Sequence, residues 1–129
     1  MRLFNALHHP HAGAVLLRTV LALLILLHGW AKITGGVGWI AGMLQGHGLP
    51  GYLAYAVYLG EVVAPLLMLV GVWVAPAALV VAINMLVALF LVHQGHFFSI
   101  NKSGGWELEL QAMFLVGALV VAMTARPGK

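Results

Sequence analysis

The sequence predicts an all-α fold, an integral membrane bundle of four transmembrane helices with a short interfacial helix between spans one and two. Three observations predict it. Hydrophobic residues make up 63% of the chain and charged residues only 7%, where a soluble domain carries roughly a quarter charged. Mean hydropathy is +1.04. The apolar residues gather in runs near 12–30, 52–72, 75–92 and 106–124, each close to the ~20 residues that cross a bilayer core. Glycine and proline punctuate the intervals, at Gly48-Leu49-Pro50-Gly51, at Gly71 and Pro76, and at Gly104-Gly105. Four spans leave room for nothing else in 129 residues, so the chain reads as a single domain over 1–129.

The elements follow in order. His8, His9 and His11 lie in a lead-in that reads as a solvated amphipathic segment. Met1-Arg2 followed by an apolar run imitates a secretion signal, but no small-x-small cleavage site follows, so the run reads as a retained span. Span one, 12–30, is interrupted by Arg18 and closes in His28-Gly29-Trp30-Ala31-Lys32. In the glycine-rich connection 34–51, Val37, Trp39, Ile40, Met43 and Leu44 suit a short helix lying in the interface, with Trp39 at headgroup level. Span two, 52–72, holds Glu61 in its interior, Pro65 one turn later, and a small-residue pair, Gly60 and Ala64, for close helix approach. A lone proline is tolerated there because neighbouring helices can satisfy the freed carbonyl. Span three, 75–92, carries Asn84, read as an interhelical hydrogen-bond donor. The most polar stretch, 93–105, leads into span four, 106–124, which opens with Glu107, Glu109 and Gln111.

Composition excludes several classes. With no cysteine, disulfides, thiol catalysis and Cys-ligated zinc or iron–sulfur sites are ruled out. The net charge of +3 comes from six basic and three acidic residues. No dense basic run interleaved with aromatics supports nucleic-acid binding. The expected surroundings are the lipid of a bilayer. Arg2, Arg126 and Lys129 fall on the side of the termini, and Lys32 and Lys102 on the other. That bias favours cytoplasmic termini.

The informative residues are the polar groups inside apolar runs. Arg18, Leu21, Ala22, Ile25, His28 and Lys32 fall on one helical stripe, and Arg18 and His28 stand about 15 Å apart in rise. Glu61, about 14 Å down span two, is expected between those two depths. A lone carboxylate there is costly, so Arg18 or His28, with Lys32 as a further base, is expected to pair with it. Such a pair either holds two helices in register or borders a ligand cavity. Glu107 and Gln111 share a face at i and i+4, level with His28 and Lys32, while Glu109 points elsewhere. His93-x-x-His96 has metal-ligand spacing, but interfacial loop histidines are far more often hydrated, and no metal is expected. A bis-histidine haem between His28 and His93 is chemically sound, yet nothing in the sequence is specific to haem.

The order Arg18…His28-Gly29-Trp30-Ala31-Lys32, Gly48-Leu49-Pro50, Gly60-Glu61…Gly71 and Gly104-Gly105-Trp106-Glu107 resembles the DoxX family of small bacterial membrane proteins. The likeness extends over about 15–124. It implies a four-helix inner-membrane protein, from a family named for its similarity to the membrane subunit of a thiosulfate:quinone oxidoreductase. Some members are linked to redox or sulfur-stress complexes. This chain is shorter than the enzyme subunit, so the resemblance constrains fold more than chemistry. The expected function is a membrane subunit supporting a quinone-linked oxidoreductase or redox-stress complex. Arg18, His28, Lys32, Glu61, Glu107 and Gln111 are the candidate binding residues for a quinone head or small anion. No side chain here carries electrons, so a partner subunit or bound cofactor would supply them. The alternatives are a non-catalytic scaffold or assembly factor for a partner protein and a small-solute permease, which the lack of inverted repeats disfavours. The association expected is with an oxidoreductase partner subunit or as a homo-oligomer.

Overall fold

The computed structural model describes residues 2–91 and 109–125, and those residues form helices with no strand among them. A short helix α1 (Arg2–Ala6) precedes α2 (Pro10–Gly35), which starts on a proline whose missing N–H is not needed in a first turn. Helix α2 runs beyond the apolar run to Gly35, so Lys32 stands inside the helix and not in a loop. It stops at Gly36, whose φ of 79° is costly for any other residue and whose N–H returns to the Lys32 carbonyl at 2.7 Å. Helix α3 (Gly38–Gly46) occupies the connection where a short interfacial helix is expected. Beyond it, Gly48 at φ 78° and Pro50 reverse the chain.

Helix α4 (Gly51–Val70) is continuous but not uniform. It opens in a tight 3₁₀ segment, Gly51–Ala56, widens into a π turn at Leu59–Val63, and becomes a regular α-helix over Ala64–Val70. The π turn has a cause in the sequence. Pro65 has no N–H to give the carbonyl of Glu61 four residues earlier, so the regular ladder cannot pass through. The Ala64 N–H instead reaches back five residues to Leu59. Such π turns concentrate at functional positions, and this one presents Glu61.

A tight turn ends α4. The N–H groups of Gly71, at φ 81°, and Val72 both donate to the Leu67 carbonyl, at 3.0 and 3.1 Å. Helix α5 (Val74–Leu91) follows at once, and α6 (Glu109–Thr124) is the last described element. Helix α2 packs on α4 and α6, and α5 packs on the same two. The core between them is built largely from small residues (Ala22, Ala64, Ala77, Ala78, Ala82, Ala118) around Ile25, Met68, Val81 and Val121. That composition suits lipid-embedded helices, which associate by close backbone approach. A second cluster, Val37, Ile40, Leu44 and Ala54, clamps α3 onto the first turn of α4.

The outer surface is apolar. Leu16, Leu23 and Leu27 of α2, Ile83 and Phe90 of α5, and Val116 and Met123 of α6 are all exposed, while the only buried charged side chain among the described residues is Glu61. An apolar exterior of this extent marks a surface suited to a membrane or to apolar partners. Helices Pro10–Gly35 and Gly51–Val70 are long and apolar enough to cross a membrane, while Val74–Phe90 and Leu110–Thr124 are apolar but shorter.

Candidate functional site

The site begins with how closely α2 and α4 approach. Gly29 of α2 lies directly against the π turn, so that a Cβ there would overlap the Glu61 carbonyl oxygen and stand 2.9 Å from its carbonyl carbon. One residue earlier, Gly60 lies under Asn84 of α5, whose Cγ would be 2.6 Å from a Cβ at Gly60. Glycines at 29 and 60 thus let three helices meet where the π turn turns Glu61 inward.

The Glu61 side chain, 6% exposed, accepts a hydrogen bond from Lys32 Nζ at Oε1, 2.9 Å away. Tyr58, one turn before Glu61, donates its hydroxyl to the Lys32 carbonyl at 3.0 Å and fixes the end of α2. Glu61 is therefore buried and paired with the first long helix, as expected, but its partner is Lys32 and not Arg18 or His28. The reason is depth. The first turn of α4 packs on α3, and α2 continues to Gly35, so Glu61 comes level with Gly29–Lys32 instead of lying midway to Arg18. Arg18 takes no part: it faces a separate cavity beneath the Gly71 turn at the far end of the helices.

Beside the Lys32–Glu61 pair opens a cavity of about 610 Å³. Its polar lining is His28, Lys32, Glu61, Asn84 and Gln111, supplied by four helices. The remainder is apolar: Trp39, Ile40, Met43 and Leu44 from α3, Leu53 and Val57 from α4, Val80, Ile83 and Val87 from α5, and Phe114 from α6. His28 is half-buried, with its ring edge-on to Phe114 at a centroid distance of 5.6 Å. Neither His28 nor Asn84 forms a hydrogen bond to another described residue. Asn84 thus departs from its expected role as an interhelical donor, since it packs on Gly60 and borders the cavity instead. An apolar chamber with a few convergent polar groups is the usual form of a small-molecule site.

Of the expected site residues, the structure brings His28, Lys32, Glu61 and Gln111 to one chamber and separates Arg18 from them. Glu107, His93 and His96 lie outside the described residues, as does the proposed haem partnership of His93. Among the described residues no group of three His, Asp or Glu side chains is placed to hold a metal. Asn84, Phe114 and Tyr58 were not singled out for this site by sequence reasoning. The four-residue interval from Glu61 to Pro65 was a legible signal for the π turn.

Described residues that form helices and no strand, a lipid-compatible exterior, two membrane-length helices and a polar-ended internal chamber define a membrane-type protein of the small helical kind. A family model described as DoxX matches residues 13–94, and the chain belongs to the DoxX family. The match holds Arg18, His28, Lys32 and Glu61, but it stops short of α6, so the family assignment does not extend over the full 15–124 of the sequence resemblance. No curated protein and no solved structure matches the chain.

Proposed function

We propose that this protein is a multi-pass inner-membrane subunit whose chamber holds the head of a quinone, in support of an oxidoreductase or redox-stress complex. The observation that carries the reading is the 610 Å³ chamber itself, apolar along most of its wall and ending on a buried Lys–Glu pair. The residues fit such a guest. Lys32 donates one of its three N–H groups to Glu61 and keeps two. The His28 imidazole and the Asn84 amide, which hydrogen-bond no other described residue, are further partners for a quinone carbonyl. A bound quinone would supply the electron acceptance that these side chains lack. The chain's own task is then to orient the ring between α3 and α5, exclude water, and hold proton donors at the carbonyl.

Four spans, with α5 and α6 crossing as well as α2 and α4, put the termini on one side. The Lys and Arg distribution favours the cytoplasm for that side. A reporter fused after Lys129 is expected to be active only if it functions in the cytoplasm. Activity of a periplasm-dependent reporter there would reverse the orientation.

The direct test is extraction of the purified protein followed by mass spectrometry for quinone. Wild type is expected to retain near-stoichiometric quinone. His28→Ala is expected to lose it at least tenfold while its thermal unfolding moves little, because His28 is half-buried and its described contact is one edge-on ring contact with Phe114. Quinone absent from wild type, or retained unchanged by His28→Ala, would remove the reading. One observation favours a second reading, a non-catalytic scaffold: the Lys32–Glu61 pair and the Gly29 contact lie on the same α2–α4 seam, as a structural clasp would. In that case wild type carries no quinone and a partner protein co-purifies.

A further inference from the structure

The second cavity, about 300 Å³, lies at the opposite end of the helices. Arg18 lines it together with His11 from α2, Gly71 from the turn, Val74 from α5 and Thr124 from α6. The guanidinium tucks under the turn, with Nη2 and Nη1 3.6 and 3.8 Å from where a Cβ on Gly71 would stand. Its Nε is buried without a partner, and Arg18 forms no ion pair or hydrogen bond with any described residue. A guanidinium does not give up its proton, and a partly buried one without a counter-charge is costly in an apolar setting.

No acidic side chain among the described residues is placed to answer it. Glu61 is bonded to Lys32 at the other end, about 20 Å of helical rise from Arg18. Glu109 begins α6, whereas the cavity touches that helix at its other end, at Thr124. Glu107 lies outside the described residues, two positions before Glu109. The nearby donors are already used: the Thr124 hydroxyl bonds the Val120 carbonyl at 2.8 Å, and the Gly71 N–H bonds Leu67 at 3.0 Å. Arg18 and His11 are left. Among the described residues the negative potential close by is that of the C-terminal ends of α4 and α6, which offer partial charge and no full counter-charge. Beside the cavity mouth, Val70, Val72 and Trp73 are exposed, and an exposed Trp at a helix end marks headgroup level.

We infer that this pocket binds a phosphate group in the fork of Arg18, with His11 at its rim, the phosphate coming from an anionic lipid headgroup or from free phosphate. The planar guanidinium fork matches phosphate oxygens two at a time. The site stands apart from the quinone chamber and does not depend on it.

The test uses the full chain in phosphate-free neutral detergent. Phosphatidylglycerol, phosphatidylcholine or inorganic phosphate is added separately, with thermal unfolding and native mass spectrometry as readouts. Phosphatidylglycerol is expected to raise Tm by several degrees and to leave bound adducts, where phosphatidylcholine does neither. Both effects are expected to fall several-fold in Arg18→Gln and to persist in Arg2→Gln, an exposed control. A rise with inorganic phosphate alone, lost in Arg18→Gln, supports the site and assigns it to free phosphate. No response of wild type to either probe overturns the inference, and so does an equal response in wild type and Arg18→Gln. Should Arg18→Gln fail to fold, Arg18→Lys keeps the charge without the fork and is expected to bind more weakly. Wild-type affinity in that variant also overturns the assignment.

Discussion

Lys32→Met is expected to destabilise the folded protein by about 3–5 kcal/mol, the usual consequence of leaving one member of a buried pair alone. Glu61, 6% exposed, would then be a carboxylate without its cation in an apolar seam. The reverse single change should cost less. Glu61→Gln leaves Lys32, which is 18% exposed and has a flexible stem that can lean its ammonium outward. Lys32→Met combined with Glu61→Leu should recover most of the loss, because it removes the desolvation cost along with the attraction. Thermal unfolding of wild type, Lys32→Met, Glu61→Leu and the double in one detergent gives the coupling energy directly. A coupling under about 0.5 kcal/mol would show that the two residues act independently and that the seam is held by packing alone. High salt should change wild-type stability little, since screening acts weakly on a pair this buried.

Most of the fold was legible because one pattern dominates the sequence. Apolar runs bounded by glycine and proline locate α2, α4, α5 and α6 to within a few residues, and the Val37–Leu44 pattern locates α3. The polar stripe of the first span was also legible, and it correctly puts His28 and Lys32 on a buried face. Assigning the partner of Glu61 failed because it rested on rise alone. Counting residues from Tyr52 ignores that the first turn of α4 packs against α3, and ending the first span at Trp30 ignores that the helix continues to Gly35. Those two displacements move Glu61 level with Lys32 and leave Arg18 about four turns away. Asn84 was misread for a related reason. Sequence shows a polar group in a span but not whether it meets another helix's polar group or, as here, a glycine backbone and a cavity.

Gly29→Ala is the second substitution expected to have a large effect, and it tests the seam by shape instead of charge. The added methyl would overlap the Glu61 carbonyl oxygen, a backbone atom that no rotamer change can move aside. Helices α2 and α4 would have to part, so overpacking should cost about 1–3 kcal/mol, and the same separation would stretch the Lys32–Glu61 contact of 2.9 Å. The two effects should therefore be coupled: in the Gly29→Ala background, Lys32→Met should cost noticeably less than it does in wild type. Gly13→Ala is the matched control, in the same helix but with nothing within 4 Å of its Cβ. It should be neutral or stabilising by up to about 1 kcal/mol, through helix propensity. If Gly29→Ala behaves like Gly13→Ala in thermal unfolding, the close approach of α2 to the π turn is not what holds Glu61 in place. A clear loss at 29, neutrality at 13 and a reduced effect of Lys32→Met together would show that a missing side chain on one helix sets the geometry of the charge on the other.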